Sequence, residues 1–449
     1  MTQLSYDITS PESILEFARG LSGKSLAQAT DLTGVVQNLS NKGDLGSMVE
    51  RYYFHHVPPN THAPDFAEAG VELKTTGVVK TKQNEYRAKE RLVLTMINYV
   101  TLADEDWTAN SLMEKCRLML LLFYFYQKDV AVYDRKFVFK PLLWSFPEAD
   151  LRVIENDWKT IQATIRDGRA HELSEGDTFY LGACRKGSGG TKEALRKQPF
   201  SPIGAKSRAF SLKPNYINTI LTGHAHEASI ITTREESELG IEEITKRKFA
   251  PFVGQPIEAI AHSFALEIPG KNNKGFFYAL TLKMLGSKKQ IPPEFEKANI
   301  TMKTIRLEKN GKPKESMSFP VFNYMDIIHE EWEESRFSQV LEQKFLFVVF
   351  QYDDEGTLRF KKIVFWNMPY IDREEARRVW ELTKQQVIDG HSETLPGSKD
   401  SHVAHVRPHA RDSRDTIPTP DGRMLVKKCF WLNNTYVASQ IRSSISAGR

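Results

Sequence analysis

Cysteine is scarce in this chain. Cys116, Cys184 and Cys429 are the only three in 449 residues, and they stand far apart with no Cys-x-x-Cys spacing. That excludes a disulfide framework and points away from a structural zinc site. Long apolar runs are missing too: the longest, from Leu118 to Tyr126, falls far short of a membrane span and reads as a buried strand. The N-terminus, MTQLSYDITSPES, has no basic stretch followed by an apolar core, so no secretory leader is expected. The string KGSGG lacks the Walker pattern and carries no nucleotide-hydrolysis signal. Nor does one sign of charge dominate. With 61 Lys and Arg against 57 Asp and Glu the net charge is +4, so any nucleic-acid partner must be argued from local charge. Together these absences predict a soluble, cytoplasmic protein with no membrane partner.

The length is enough for two domains, each able to bury its own core. The chain repeats itself. Gly23-Lys24-Ser25-Leu26 returns as Gly254-Gln255-Pro256-Ile257, and Asn41-Lys42-Gly43 as Asn273-Lys274-Gly275. The segment holding Trp144, Pro147, Trp158 and Asp167-Gly168 returns with identical spacing at Trp366, Pro369, Trp380 and Asp389-Gly390. AFSLKPNYINTIL from Ala209 returns as CFWLNNTYVASQI from Cys429. Four matches in one order indicate a tandem duplication. The expected division is a first domain over 1–225, a polar linker over 226–252 and a second domain over 253–449. Each copy reads as α/β: helical spacing from Pro11 to Ala29, an amphipathic helix through Leu45, Met48, Val49, Tyr52 and Tyr53, then alternating strands. The apolar strand at Leu118–Tyr126 has a counterpart at Phe345–Phe350, and a helix opens after Pro147 and stops near Gly168. A mixed sheet flanked by helices suits that order.

The stretch PDFAEAGVELKTT, from Pro64, places Glu72 and Lys74 on one strand face and Val71 and Leu73 on the other. Asp65 precedes them across a turn-like AEAG, so it can reach Glu72 from the neighbouring chain segment. Two adjacent carboxylates suit a hard cation such as Mg²⁺, and Lys74 adds positive charge for a phosphate. The second copy reads PEFEKANITMKTI: the apolar frame persists as Phe295, Ile300 and Met302, but Asp65 becomes Glu294 and Glu72 becomes Thr301. The strand survives without the pair, so Glu72 is not demanded by the fold.

These residues resemble the MutH-type nucleases of the PD-D/E-x-K class, through PD…ELK, KGDLGSMVE and RAFSLKPNY. The duplicated layout, with AEAGVELK, KERLVL, RAHELSEG, ESMSF and HVRPH, resembles the Sau-type GATC restriction endonucleases over nearly the whole chain. The resemblance implies two tandem MutH-like domains and Mg²⁺-dependent cleavage of double-stranded DNA at GATC, before the G, in a cleft of the first domain. It implies metal carboxylates at Asp65 and Glu72, a catalytic lysine at Lys74, a further helix glutamate at Glu50 and a further lysine at Lys115. Leu282 stands in place of Glu50 in the second copy.

From Arg185 to Lys213 there are eight Lys or Arg and one acidic residue, Glu193, around a Gly-Ser-Gly-Gly loop at 187–190. Such a segment suits phosphate neutralisation, and Arg185, Lys186, Lys206, Arg208 and Lys213 are the expected DNA contacts. By resemblance Lys186 reads a base edge, and Arg185 stands where MutH-type enzymes have proline. Phe210 and Tyr216 keep their spacing at Phe430 and Tyr436 and read as packing. The second copy keeps His405-Val406-Arg407-Pro408-His409, so Arg407 and His409 are expected to contact DNA there. The Pro-Arg-rich setting of His402, His405 and His409 argues against zinc. His55, His56 and His62 are expected to flank the cleft or face solvent. His171, Ser174 and Glu175 are crowded in sequence but form no triad pattern.

The reading is a type II restriction endonuclease whose catalytically dead second copy binds another GATC as effector. One active site per chain cannot cut both strands at once, so a monomer that pairs on DNA is expected, with two sites per active assembly. The alternatives are a MutH-like nicking enzyme of mismatch repair and a non-cutting DNA-binding regulator.

Overall fold

The computed structural model describes residues 4–30, 32, 45–57, 63–187, 195–223, 229–231, 233–269, 274–287 and 291–443. Its strands are β1 Val71–Lys80, β2 Tyr86–Ala88, β3 Leu92–Met96, β4 Leu118–Phe125, β5 Leu142–Trp144, β6 Leu181–Arg185, β7 Arg196–Gln198, β8 Ser201–Ala205 and β9 Arg208–Leu212 in the first copy. The second copy supplies β10 Thr301–Leu307, β11 Met317–Val321, β12 Phe345–Tyr352, β13 Leu358–Trp366, β14 Ala404–Pro408, β15 Thr416–Pro418, β16 Met424–Val426 and β17 Lys428–Leu432.

The two sets match. In the first copy β1 and β4 run parallel within the sheet β2-β1-β4-β5, and β3-β9-β6 form a second, antiparallel sheet. In the second, β10 and β12 run parallel within β10-β12-β13, and β11-β17-β14 form the antiparallel sheet. A two-stranded hairpin, β7-β8 or β15-β16, precedes the last strand of each. The duplication read from sequence is thus a duplication of mixed α/β architecture. Smaller details repeat: Gly23 N–H donates to Phe137 O at 2.8 Å, and Gly254 N–H to Phe360 O at 2.8 Å. Tyr216 hydroxyl donates to Asp150 at 2.6 Å, and Tyr436 hydroxyl to Asp372 at 2.8 Å. The Asn41–Gly43 match lies outside the described residues.

Strand β4 is apolar throughout because both of its faces are covered. Leu120 and Leu122 pack with Val71, Leu73 and the helix Pro11–Ala18, while Met119, Leu121 and Phe123 pack on the opposite side with Trp158. The helices Glu148–Arg166 and Tyr370–Ile388 both have 19 residues and both follow a proline. Each ends at a glycine in the left-handed region, Gly168 at φ 70° and Gly390 at φ 77°.

Three elements differ from expectation. Pro11–Ala29 is not one helix: it stops at Ala18, turns through Arg19–Leu21 and Gly23 (φ 77°), and restarts at Leu26 under a Ser25–Gln28 capping box. The helix from Leu45 loosens after Met48, where Phe54 N–H reaches back five residues to Val49 O at 3.0 Å. Such π-type turns collect at functional sites, and Glu50 sits in this one. The polar stretch expected to be a linker is folded in part. The helix Ile241–Phe249 buries Ile241, Ile244 and Phe249, and stands to the second copy as Pro11–Ala18 does to the first. Dense charges on its outer face hide that apolar stripe from a composition-based reading. Among the described residues no helix is long and apolar enough to cross a membrane.

Candidate active site

A tight turn builds the site. Phe66 and Val71 exchange backbone hydrogen bonds of 2.9 and 3.2 Å, with Gly70 at φ 66° closing the loop between them. The chain therefore doubles back so that Asp65 lies beside the start of β1. Asp65 N–H donates to Glu72 Oε2 at 3.0 Å, and Leu73 N–H donates to Asp65 Oδ2 at 2.9 Å. Lys74 Nζ, two residues along the same strand face, donates to Glu72 Oε1 at 2.6 Å. Lys115 comes from the helix Ser111–Cys116, which leads into the parallel neighbour β4, and its Nζ is 3.5 Å from the same oxygen. Asp65, Glu72, Lys74 and Lys115 are thus brought together from three points in the sequence.

Water is largely excluded: Glu72 is 2% exposed and Asp65 8%. Burial raises the Glu72 pKa, and the Asp65 carboxylate adds to the effect against Lys74 and Lys115. Burial also pushes Glu50 up to about 7, helped by repulsion from Asp65 and Glu72. Burial opposes the charge on Lys74, but the Cys116 sulfur and the two carboxylates outweigh it and its pKa is raised. Three carboxylates thus repel one another in a dry setting, and a bound cation would relieve that repulsion. Among the described residues no three His, Cys, Asp or Glu side chains gather closely enough to chelate an ion by themselves. That donor set fits Mg²⁺, which commonly takes one or two carboxylates and completes its shell with water and phosphate oxygens.

Sequence reasoning missed one neighbour. His56 Nε2 lies 2.7 Å from the Asp65 carbonyl oxygen, and its ring stacks on Phe66 at 5.2 Å. The adjacent histidine pair gave no signal that one ring would brace the Asp65 backbone. His55 is exposed at φ 51°, and His62 lies outside the described residues.

The second copy keeps the turn and loses the site. Ile300 N–H donates to Phe295 O at 3.0 Å, and Asn299 at φ 53° takes the place of Gly70. Glu294, where Asp65 would be, instead binds Ser229 and the Ile230 N–H. Thr301 donates to Gln343 Oε1 at 2.8 Å, and Leu282 is buried where Glu50 would be.

The expected DNA contacts divide into two groups. Arg185 Nη1 is 2.5 Å and Lys206 Nζ 3.2 Å from Glu333 Oε1 of the second copy, with Arg377 at 3.8 Å. Burial alone would push the Glu333 carboxyl up, but the Arg185 hydrogen bond and charge hold it down at about 2. Arg185 and Glu333 border a cavity of about 530 Å³ between the copies, whose wall also includes Thr76 of β1, Arg91, Lys186 and Glu331. Arg208 and Lys213 correct the expectation. Arg208 is 5% exposed and donates to the carbonyls of Ala183 and Leu173; Lys213 is 4% exposed and donates to Thr178 and Ala298 carbonyls. Both cations are spent inside the fold, satisfying backbone oxygens that would otherwise be orphaned. Residues 188–190 of the glycine loop, and Glu193, lie outside the described residues.

In the second copy Arg407 is exposed and lies over the Trp431 ring at 3.8 Å, with exposed His409 on the same ring at 5.3 Å. A further cavity of about 570 Å³ opens there, lined by Lys314, Ser316, His405, Arg407 and Asn433. His405 is buried against Asn433, and burial lowers its pKa. Phe210 and Tyr216 pack in the core.

Comparison with known proteins agrees with this duplication. The model of the DNA mismatch repair enzyme MutH matches twice, at residues 54–157 and 283–378. The type II restriction enzyme Sau3AI of Staphylococcus aureus is 34% identical over 93% of this chain and 96% of its own. The MutH proteins of Vibrio campbellii and Shewanella woodyi are 25% and 26% identical, each over 47% of this chain and 92% and 93% of theirs. The MutH proteins thus match about half of the chain, whereas the restriction enzyme matches nearly all of it. With its two MutH-like copies and its likeness to Sau3AI along almost its full length, the chain belongs to the MutH-related family of type II restriction enzymes.

Proposed function

We propose that this protein is a Mg²⁺-dependent endonuclease that hydrolyses both strands of double-stranded DNA at GATC. We assign catalysis to residues 1–225 and an effector role to 253–449, counting the helix Ile241–Phe249 with the second copy. The observation that carries the reading is the cluster of Asp65, Glu72, Lys74 and Lys115, assembled in one copy and dismantled in the other while the same turn remains. The choice of GATC rests on the likeness to the family.

In this reading Asp65 and Glu72 hold the metal, and Glu50, whose carboxyl feels both of them, is the third metal carboxylate. When bound, Mg²⁺ supplies positive charge at the phosphoryl oxygen and lowers the pKa of a bound water. Lys74 and Lys115 converge on one carboxylate oxygen, so both ammonium groups are already aimed where a phosphate would arrive. His56 braces the Asp65 backbone from outside. Lys186 faces the cavity that adjoins β1, where a base edge would pass.

Support for the effector role comes from Glu333, which occupies Arg185 and Lys206, and from the exposed Arg407 and His409 on the second copy. DNA bound by the second copy would have to move Glu333 away before the first could use its basic residues. One active site per chain then requires pairing on DNA, or two successive cuts, to sever both strands.

Digestion of a sequenced plasmid with Mg²⁺, comparing wild type with Glu72→Ala, tests the proposal. Fragments ending at GATC with wild type only would support it. Intact plasmid with both proteins, despite DNA binding, would leave a non-cutting regulator; nicked circles without linear product would point to a MutH-like nicking enzyme.

A further inference from the structure

The hairpin before the last strand is closed differently in the two copies. In the second, β15-β16 turns through Asp421-Gly422, and the glycine carries the positive φ of 85°. In the first, β7-β8 turns through Pro199-Phe200, and the phenylalanine itself sits at φ 61°. Bulky residues rarely adopt that conformation. The ring recovers little from the fold, since Phe200 is 75% exposed, with Leu195 at 57% and Ile203 at 53% on the same hairpin.

The tip is nevertheless held firmly. Gln198 is 7% exposed; its amide donates to Ile203 O at 2.6 Å and its carbonyl accepts from Ala170 N–H at 2.8 Å. The turn is seated on Gly168, where a Cβ would meet the Phe200 carbonyl. Bulky residues held in such strained conformations cluster at functional and ligand-contact sites.

The surroundings say which ligand that is. Arg196 and Lys197 are exposed on the same hairpin. Asp167 and Glu172, on the segment against which the turn is seated, are already paired with Arg169. The root of the hairpin is the basic loop itself, where Lys186 N–H donates to Ser207 O at 2.8 Å. The five residues from Ala205 to Phe200 can reach up to about 17 Å, or roughly five base pairs of duplex rise. Resting on the nuclease reading above, we propose that Phe200 is a DNA-contact residue. Its ring stacks on or wedges between bases flanking the recognition site, while Arg196 and Lys197 neutralise the phosphates beside it. The charges favour DNA over a second copy of this chain, because two such tips face to face would set Arg196 and Lys197 against their own kind.

The test uses the full chain with Ca²⁺ in place of Mg²⁺ and two labelled duplexes carrying one GATC. One extends only a few base pairs beyond the site and the other a full helical turn on each side. Phe200→Ala and Phe200→Gly should lose about tenfold in affinity for the long duplex and little for the short one. Phe200→Gly should also melt higher than wild type, because glycine takes the positive φ without strain. Long-duplex affinities within about twofold of wild type for both variants would overturn the proposal. So would a change in self-association with DNA affinity intact, which would make the patch a protein interface. Wild type that binds neither duplex would bring down the nuclease reading itself, a result distinct from either.

Discussion

Glu333→Gln should free Arg185 and Lys206 of the first copy for DNA. The carboxylate lies between the copies with a side chain only 13% exposed, and it accepts from Arg185 and Lys206 of the first copy. Glutamine keeps the shape and removes the charge. Hydrogen bonds to charged groups contribute about 1.5–3 kcal/mol each when well made, and the looser Lys206 contact deserves the lower end. Part of that is recovered by the amide, so a net loss of about 2 kcal/mol is the working figure. If the contact opposes DNA entry, apparent affinity of a single-site duplex should rise by roughly 30-fold. Anisotropy with Ca²⁺ gives the affinity, and single-turnover cleavage with Mg²⁺ gives the rate on the same duplex. Glu155→Gln, which breaks the surface pair with Lys159 away from Glu333, is the control and should change neither. The pH dependence has a definite sign. A carboxyl held at about 2 contributes stability that is present above its ordinary 4.5 and lost as pH falls towards 2. The melting difference between wild type and Glu333→Gln should therefore shrink over that window. An unchanged or lower affinity in Glu333→Gln would refute the idea that this contact competes with DNA.

Other perturbations separate roles within the site. Lys74→Gln should reduce single-turnover cleavage at least about 100-fold, with DNA affinity changed only a few-fold; equal losses in both would make Lys74 a binding residue only. His56→Ala should weaken Mg²⁺ dependence about tenfold while leaving the rate at saturating Mg²⁺ nearly intact, and a metal titration of cleavage checks this. Trp158→Ala empties a fully buried site against β4 and should cost about 3–5 kcal/mol in denaturant unfolding.

The tandem architecture was legible because its signals are local and repeated: two tryptophans, a proline and an Asp-Gly stop recur with one spacing, and the helices they mark are of equal length. The core of the site was legible for a similar reason, since alternation along β1 and a turn at Gly70 suffice to bring Asp65 to Glu72. What stayed hidden depends on distant partners. Arg208 and Lys213 look like phosphate ligands in a basic run, and only the fold shows them buried on carbonyl oxygens. Glu333 stands in an acidic segment of the second copy, with nothing local to say it meets Arg185. The apolar stripe of Ile241, Ile244 and Phe249 is outnumbered by the charges around it.

The largest apolar cluster does not respect the boundary between the copies. Trp158 and Tyr180 from the first belong to the same continuous core as Phe249, Ile300, Leu346 and Phe360 from the second, and Phe179 meets Phe365 across the seam at 6.0 Å. Once two ancestral copies had merged their interiors, removing either would strip the other of its cover and leave an apolar wall in water. The event that doubled the gene then works as an evolutionary ratchet. The second copy can shed its carboxylates, yet deleting it would uncover the apolar wall it shares with the first, whatever becomes of its chemistry.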